Sequence, residues 1–533
     1  MLSRSKKLVN LIIEYGLYLV VFLLSLQTRY IFYYGEISKS YSEYLSVSLY
    51  VVDILLIILL ILFLSSQIKK YCQSSLSFLE ILKKNKVLII IVGLEIFILI
   101  SIFFSTNKAI AFYKYGLFLL GVGLFYLIKK AKYNQVKLIY SLLAGMFFQA
   151  SLGIWQFLTQ TSFANKWLGI AQHFISQGGT AVVETGAGER WLRSYGGLDY
   201  PNILGVFLVL GLFLIIYLVN WDCCRMPNCP KSPDFNKFVL KNFDQYYYIA
   251  KNFLKQISKK SKNLCLIWHS ATVPSYKKNK ISLFFIFYCL LFAVLTSFSR
   301  SAWLGLIGGL LVLLVILIKK KQFLKIKKIT ALVVPGVILV MIIAVLYNSL
   351  IFTRLSSSNR LEIKSNTERV DLTKQAWGLI RENYLFGVGV GNYIPALVLL
   401  DEGNEQFKPA WEYQPVHNVF LLVWAEIGIF GLLFFVSLLF YCTGFPIVII
   451  FIDFVFIFIN LLVAGRKCGK ISSRKNAEGL FYLFIKNKNS SINLAILFVI
   501  FIALFFDHWL WSLHFGILFF WLVMGMVSRK DFF

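Results

Sequence analysis

The sequence predicts an all-α, polytopic membrane protein with about 12 transmembrane helices and a large extracytoplasmic loop before the tenth span. Three observations carry this. Of the 533 residues, 58% are hydrophobic and mean hydropathy is +0.73, against the ~45–50% apolar content of soluble domains. The excess is gathered into repeated apolar runs of membrane-spanning length, and only helices or closed barrels satisfy their backbone in lipid. Between the runs, strongly basic connectors alternate with connectors that are nearly neutral.

Taken in order, spans are expected near 8–28, 44–64, 87–104, 110–128, 138–158, 202–220, 281–298, 302–318, 329–349, 418–441, 492–506 and 509–527. They form a single transmembrane domain over 1–533. The first follows Arg4, Lys6 and Lys7. It is too long for a signal peptide and has no small-residue cleavage site, so it reads as a span with a cytoplasmic N-terminus. Lysine pairs such as Lys69-Lys70, Lys83-Lys84 and Lys129-Lys130 then mark every second connector. Most of the net charge of +29 is therefore a positive-inside signal. It puts both termini, the basic 221–280 insert and the basic 465–491 loop in the cytoplasm, and it makes nucleic acid the weaker explanation of the charge. Residues 418–463 are apolar beyond one span's needs. Within the apolar 442–463 stretch, a break at Gly444-Phe445-Pro446 and then an interfacial helix carrying Asp453 reconcile length with orientation. Cys223, Cys224 and Cys229 lack a standard zinc spacing. With Cys72, Cys265 and Cys468 they read as reduced thiols on the cytoplasmic side or within spans.

The chemistry concentrates in the outer connectors. The first two, 29–43 and 105–109, are short and say little. The third, 159–201, ends Arg190-Trp191-Leu192-Arg193-Ser194-Tyr195-Gly196-Gly197, then Pro201-Asn202 at a helix entry. Arg190 and Arg193 suit either headgroups and local carboxylates or a substrate. The fourth is a tight hairpin with Arg300 at its tip, where a charge beside hydrocarbon usually faces an interior or an aqueous cavity. The large loop, 350–417, holds the polar stretch Arg354–Glu426. Ser365-Asn-Thr-Glu368 has the form of a capping box opening a helix that carries Arg369. Gly387-Val-Gly389-Val-Gly391 faces outward and follows a helix, so it is a turn with close backbone packing rather than a dinucleotide fingerprint. His417 stands at the mouth of the tenth span, flanked by Glu412 and Asn418, and histidine is the side-chain type suited to proton transfer at physiological pH.

Together these stretches give the chain a family likeness from about residue 90 onward. The landmarks are Arg193 to Pro201-Asn202, Thr296-Ser-Phe-Ser-Arg300-Ser-Ala-Trp303, Trp377 to Gly391-Asn392, His417-Asn418 to Gly428-Ile-Phe-Gly431, and Phe506-Asp507-His508-Trp-Leu-Trp511. In these the chain resembles the O-antigen ligase and O-antigen polymerase superfamily of membrane glycan transferases. The resemblance implies a glycan donor on undecaprenyl diphosphate, a lipid, glycan or protein acceptor, and an active site on the extracytoplasmic face of the cytoplasmic (inner) membrane. It maps the family's arginines and loop histidine onto Arg193, Arg300 and His417. The 221–280 insert and the apolar stretch after residue 441 depart from the family pattern.

The residue types fit that chemistry independently. Breaking a sugar–diphosphate bond builds negative charge on the leaving group, and arginine offers a permanent, forked donor for phosphate oxygens. A histidine near neutrality suits the general base that takes the acceptor's proton. No Asp-x-Asp pair suggests a metal clamp, so neither metal nor cofactor is expected. His417, Arg300 and Arg193 are the expected catalytic set. Arg190, Arg369, Glu412 and Asn418 are the expected substrate contacts. A lipid-linked repeat polymerase or a protein O-glycosyltransferase would use the same groups on a different acceptor. A transporter is the more distant alternative, motivated by Glu14, Asp53 and Glu95 within spans.

Overall fold

The computed structural model describes residues 2–72, 86–185, 188–221, 278–356, 360–403, 408–443 and 491–529. Nearly all of the 221–280 insert, the 442–463 stretch beyond Thr443 and the 465–490 loop lie outside the described residues, as do Cys223, Cys224, Cys229, Cys265 and Cys468.

A helix occupies each of the twelve expected positions. These are α1 (Leu2–Leu23), α2 (Val51–Cys72), α3 (Lys86–Ser101), α4 (Lys108–Lys130), α5 (Gln135–Thr159), α6 (Pro201–Trp221), α7 (Lys278–Thr296), α8 (Arg300–Lys319) and α9 (Phe323–Leu346). After three connector helices, α10 (Asn348–Leu355), α11 (Arg360–Glu382) and α12 (Tyr393–Gly403), come α13 (Val419–Thr443), α14 (Ser491–Phe506), a single turn α15 (Trp509–Ser512) and α16 (His514–Ser528). Seven of the described helices are long and apolar enough to cross a membrane by length and composition. The chain is a mostly helical, multi-pass membrane protein.

Strand does occur, in the first outer connector and the start of the expected 44–64 span, and again in the third outer connector. β1 (Arg29–Tyr33) pairs antiparallel with β4 (Val47–Tyr50), β2 (Glu36–Ile37) with β3 (Ser40–Tyr41), and β5 (Val182–Glu184) with β6 (Arg190–Leu192). The 29–43 connector is thus a folded cap, closed by a half-buried ion pair from Arg29 to Glu43 and a 2.7 Å bond from Arg29 to the Tyr50 hydroxyl.

Side-chain caps start several helices. Asn107 accepts from Ile110 at the head of α4, Asn134 from Val136 and Lys137 at α5, and Ser299 from Ala302 at α8. Each satisfies an amide that the first helical turn leaves unpaired. The capping box at Ser365 does not open α11, which already runs from Arg360. Glu362 in its first turn is buried against Arg354 and Arg300, and those ion pairs outweigh the local cap signal.

α6, α14 and α16 are buried along nearly their whole length and form the centre of the bundle. α8 lies along α14, α16 along α4, and α13 along α3. Alternate connectors meet at one end. Thr28 bonds Trp167, Ser38 bonds Lys408, Thr106 and Asn107 bond Asn392, and Ser194 bonds Thr296. At the opposite end Tyr18 bonds Asn134, and Arg529 donates to Ile128 and Ala131.

The Gly387–Gly391 turn is the joint that fixes the large loop to this scaffold. All three of its glycines have positive φ (72°, 99° and 69°), backbone that favours glycine. α13 is itself broken at Gly428 (φ 73°), so it is not the continuous span the sequence suggests. The break frees the Ala425 and Glu426 carbonyls, which accept from Val388 (2.8 Å) and Gly389 (2.9 Å). Ile429 donates back to Tyr384 at 3.0 Å. A Cβ at Gly428 would lie 1.9 Å from the Leu385 carbonyl oxygen.

Candidate functional site

At the connector-rich end, stretches distant in sequence converge: 193–202, 297–300, Arg354, 360–369, His417–Asn418 and Asp507–His508. The α7–α8 turn organises them. Phe298 adopts a left-handed conformation (φ 47°), costly for a bulky residue and found where surrounding contacts over-determine it. The turn aims two carbonyls at arginines. Arg193 donates through Nε to Ser297 O (2.7 Å) and through Nη2 to Phe298 O (3.3 Å), and Arg354 donates through Nε to the same Phe298 O (2.9 Å). Arg300 follows two residues later at the head of α8, a third exposed, with Nη1 3.2 Å from Glu362 and Nη2 3.4 Å from Asn366. Glu362 also pairs with Arg354. Arg369, two turns further along α11, senses Asp507, Arg300 and Glu362.

This end is crowded with positive charge. Burial, then the neighbouring Arg354 and Arg300 charges, pull the Arg193 guanidinium well below its usual range. Burial likewise pulls down Arg354, partly countered by Glu362, and Arg369, partly countered by Asp507. Two carboxylates serve four guanidinium groups, so an incoming anion is favoured here.

The other end of the site is histidine. His417 keeps 20% of its side chain exposed, and its Nδ1 lies 3.5 Å from Asp507 Oδ1. That is an ion-pair distance; a formed hydrogen bond is shorter. Burial would raise the Asp507 pKa, but His417, then His508, outweigh it and hold the carboxyl well below the usual carboxylate range. Asp507 Oδ2 accepts from Asn202 (3.3 Å), whose amide oxygen accepts from Arg193 (2.7 Å). A continuous path thus joins the arginine end to the histidine. His508 packs 5.1 Å from His417, ring to ring, but is buried, bonds Ser512 Oγ at 2.7 Å, and is driven down to about 3 mainly by burial. His508 stays neutral near pH 7, so its role is to wall the site.

His417, Asp507 and His508 each offer one ligand atom within 4.8 Å of the others. Two imidazoles and a carboxylate are a donor set that suits a divalent transition metal. The expectation of a metal-free site rests on the lack of an Asp-x-Asp pair, and this cluster is a different donor set.

Of the expected site residues, the structure brings together Arg193, Arg300, Arg369 and His417. Arg193 is only 6% exposed, and its Nε and Nη2 are given to backbone and Asn202, so it braces the turn. Asn418, expected at the substrate, caps α13: its Oδ1 accepts from Leu421 at 3.0 Å. Glu412 is exposed at the end of a short turn, and the carboxylate beside His417 is Asp507, ninety residues further on. Arg190 sits in β6 opposite Glu184. Arg354, Glu362, Asn202 and Asp507 are the side chains that sequence reasoning missed. Asp507 was within sight, since its motif formed part of the family likeness.

Residues 285–436 match the family model described as O-antigen ligase. Over that segment, under a third of the chain, the protein is similar to O-antigen ligases. The matched segment contains Arg300, Arg354, Glu362, Arg369 and His417, while Arg193, Asn202 and Asp507 reach the site from outside it. No curated protein matches the chain at a significant level.

Two of the three carboxylates that hinted at transport have structural partners. Glu14 accepts from the Tyr18 hydroxyl (2.6 Å) and the Asn134 amide (3.3 Å), and Asp53 pairs with His514 (2.7 Å) and the Tyr50 amide (3.1 Å). Glu95 is buried, with neither carboxylate oxygen hydrogen-bonded among the described residues.

Proposed function

We propose that this protein transfers a glycan from a polyisoprenyl-diphosphate donor, undecaprenyl diphosphate by family likeness, to an acceptor hydroxyl at the outer face of the cytoplasmic membrane. One observation carries the reading: a cluster of arginines short of negative charge lies linked, through Asn202 and Asp507, to a part-exposed histidine.

Arg300 and Arg369 bind the donor's diphosphate, and Arg193 and Arg354 hold the turn that aims Arg300. Asp507 acts as a positioning residue. Facing Nδ1 of His417, it favours the tautomer that carries its proton there and leaves Nε2 free as the base. His417 takes the proton of the acceptor hydroxyl. The oxygen attacks the anomeric carbon from the face opposite the diphosphate, and the sugar–oxygen bond breaks. The electron pair leaves with the diphosphate, where the arginines stabilise it, and the anomeric configuration inverts.

The test is reconstitution. Purified protein, given undecaprenyl-diphosphate-linked glycan and candidate acceptors, should form a new glycosidic bond and release the lipid diphosphate. Transfer to a separate lipid or protein identifies a ligase or a protein glycosyltransferase. Growth of the lipid-linked glycan itself identifies a polymerase. Solute uptake into vesicles with no glycan transfer would contradict the reading.

A further inference from the structure

We infer that Glu362 is an internal counter-ion that sets the charge of the arginine cluster to match a diphosphate diester, and so tunes how firmly donor and leaving group are held. The inference rests on the diphosphate reading above and deepens it. Glu362 is 3% exposed, on the first turn of α11, and bridges arginines from two other elements: Arg354 at the end of α10 and Arg300 at the head of α8. Glu362, Asn366 and Arg369 fall at i, i+4 and i+7, one face of α11. Through them the helix lays a carboxylate, an amide and a guanidinium along the site, the first two on Arg300.

The charges then count as follows. Arg193, Arg300, Arg354 and Arg369 bring four positive charges, while Glu362 and Asp507 bring two negative ones. The surplus of two equals the charge of about two on a diphosphate diester, with one per phosphate. When the sugar leaves, the diphosphate gains about one further negative charge, and the surplus no longer matches. Without Glu362 the surplus would be three. That cluster would bind the diester more tightly and retain the product.

A merely structural Glu362 predicts something else. Its removal would leave two arginines unpaired, loosen the turn, and raise the donor KM. The two roles separate in Glu362→Gln, which keeps size and polarity but not charge, with inorganic diphosphate as the probe. Our inference expects inorganic diphosphate to bind Glu362→Gln about three- to tenfold more tightly than wild type, the size of one screened unit charge nearby. It also expects kcat and donor KM to fall together, leaving kcat/KM within about twofold. Glu362→Asp, which keeps the negative charge, should show no tightening of inorganic diphosphate binding. Arg354→Gln, which removes a positive charge instead, should weaken inorganic diphosphate binding by about the same factor. Unchanged or weaker binding in Glu362→Gln, or a raised donor KM, would overturn the counter-ion role alone. Wild-type protein that binds no inorganic diphosphate would overturn the arginine assignment as well.

Discussion

The two ends of the site are built in opposite ways. At the arginine end three guanidinium groups are tied down: Arg193 and Arg354 to backbone carbonyls of a strained turn, Arg354 and Arg300 to Glu362. At the histidine end His417 is held by a single 3.5 Å contact to Asp507, and a fifth of its side chain remains open. Groups whose task is to present fixed charge gain from rigidity, because a preorganised donor needs no rearrangement as charge develops. A group that must accept a proton and release it needs access and a loose partner. Under the proposed function the contrast is a division of labour: the arginine end would bind, and the histidine end would react.

The largest break should come at the histidine. His417→Gln keeps polarity and removes the base, so transfer should fall by the ~10²–10⁴-fold typical of losing one, measured as product formed at saturating donor. A near-normal rate would move the base elsewhere. Next is Arg300→Lys, which keeps charge and loses the fork. It should raise donor KM and cost about ten- to a hundredfold in kcat/KM. Asp507→Asn should cost less, about tenfold, chiefly in kcat, since it disturbs the tautomer of His417 while leaving the arginines in place.

A smaller effect concerns acid stability. Burial holds His508 neutral down to about 3, whereas in the unfolded chain it takes a proton near 6.5. The unfolded state therefore binds more protons between those values, and stability should fall as pH drops through that window. Thermal unfolding of wild type and His508→Gln from pH 7 to 5 should show a shallower loss in the variant. The smallest expected effect is none: chelation with EDTA should leave transfer unchanged. Loss of activity restored by a divalent metal would instead make His417, Asp507 and His508 a metal site.

The helices and the two ends of the site were legible to different degrees. Hydrocarbon length shows in sequence, so a helix stands at each apolar run. Arg300 and His417 were legible because each sits where a polar connector meets a span, and a charge there needs a reason. Glu362 and Arg354 were not, because their meaning is an ion pair across the α10–α11 connection and onto α8. The capping box misled for the same reason: local signals lose to long-range ion pairs. The 29–50 hairpins were missed because their strands are only two to five residues long and carry exposed aromatics without a clean alternation. The Gly428 break was hidden inside an apolar run, since its cause is the Val388 and Gly389 amides docking from the loop.

The division of labour is tested most directly by donor binding, measured apart from turnover. Labelled undecaprenyl-diphosphate glycan should bind His417→Gln with the wild-type Kd, although that variant transfers almost nothing. The same donor should bind Arg300→Ala at least about tenfold more weakly. Equal loss of binding in both variants, or wild-type binding in Arg300→Ala, would contradict the account.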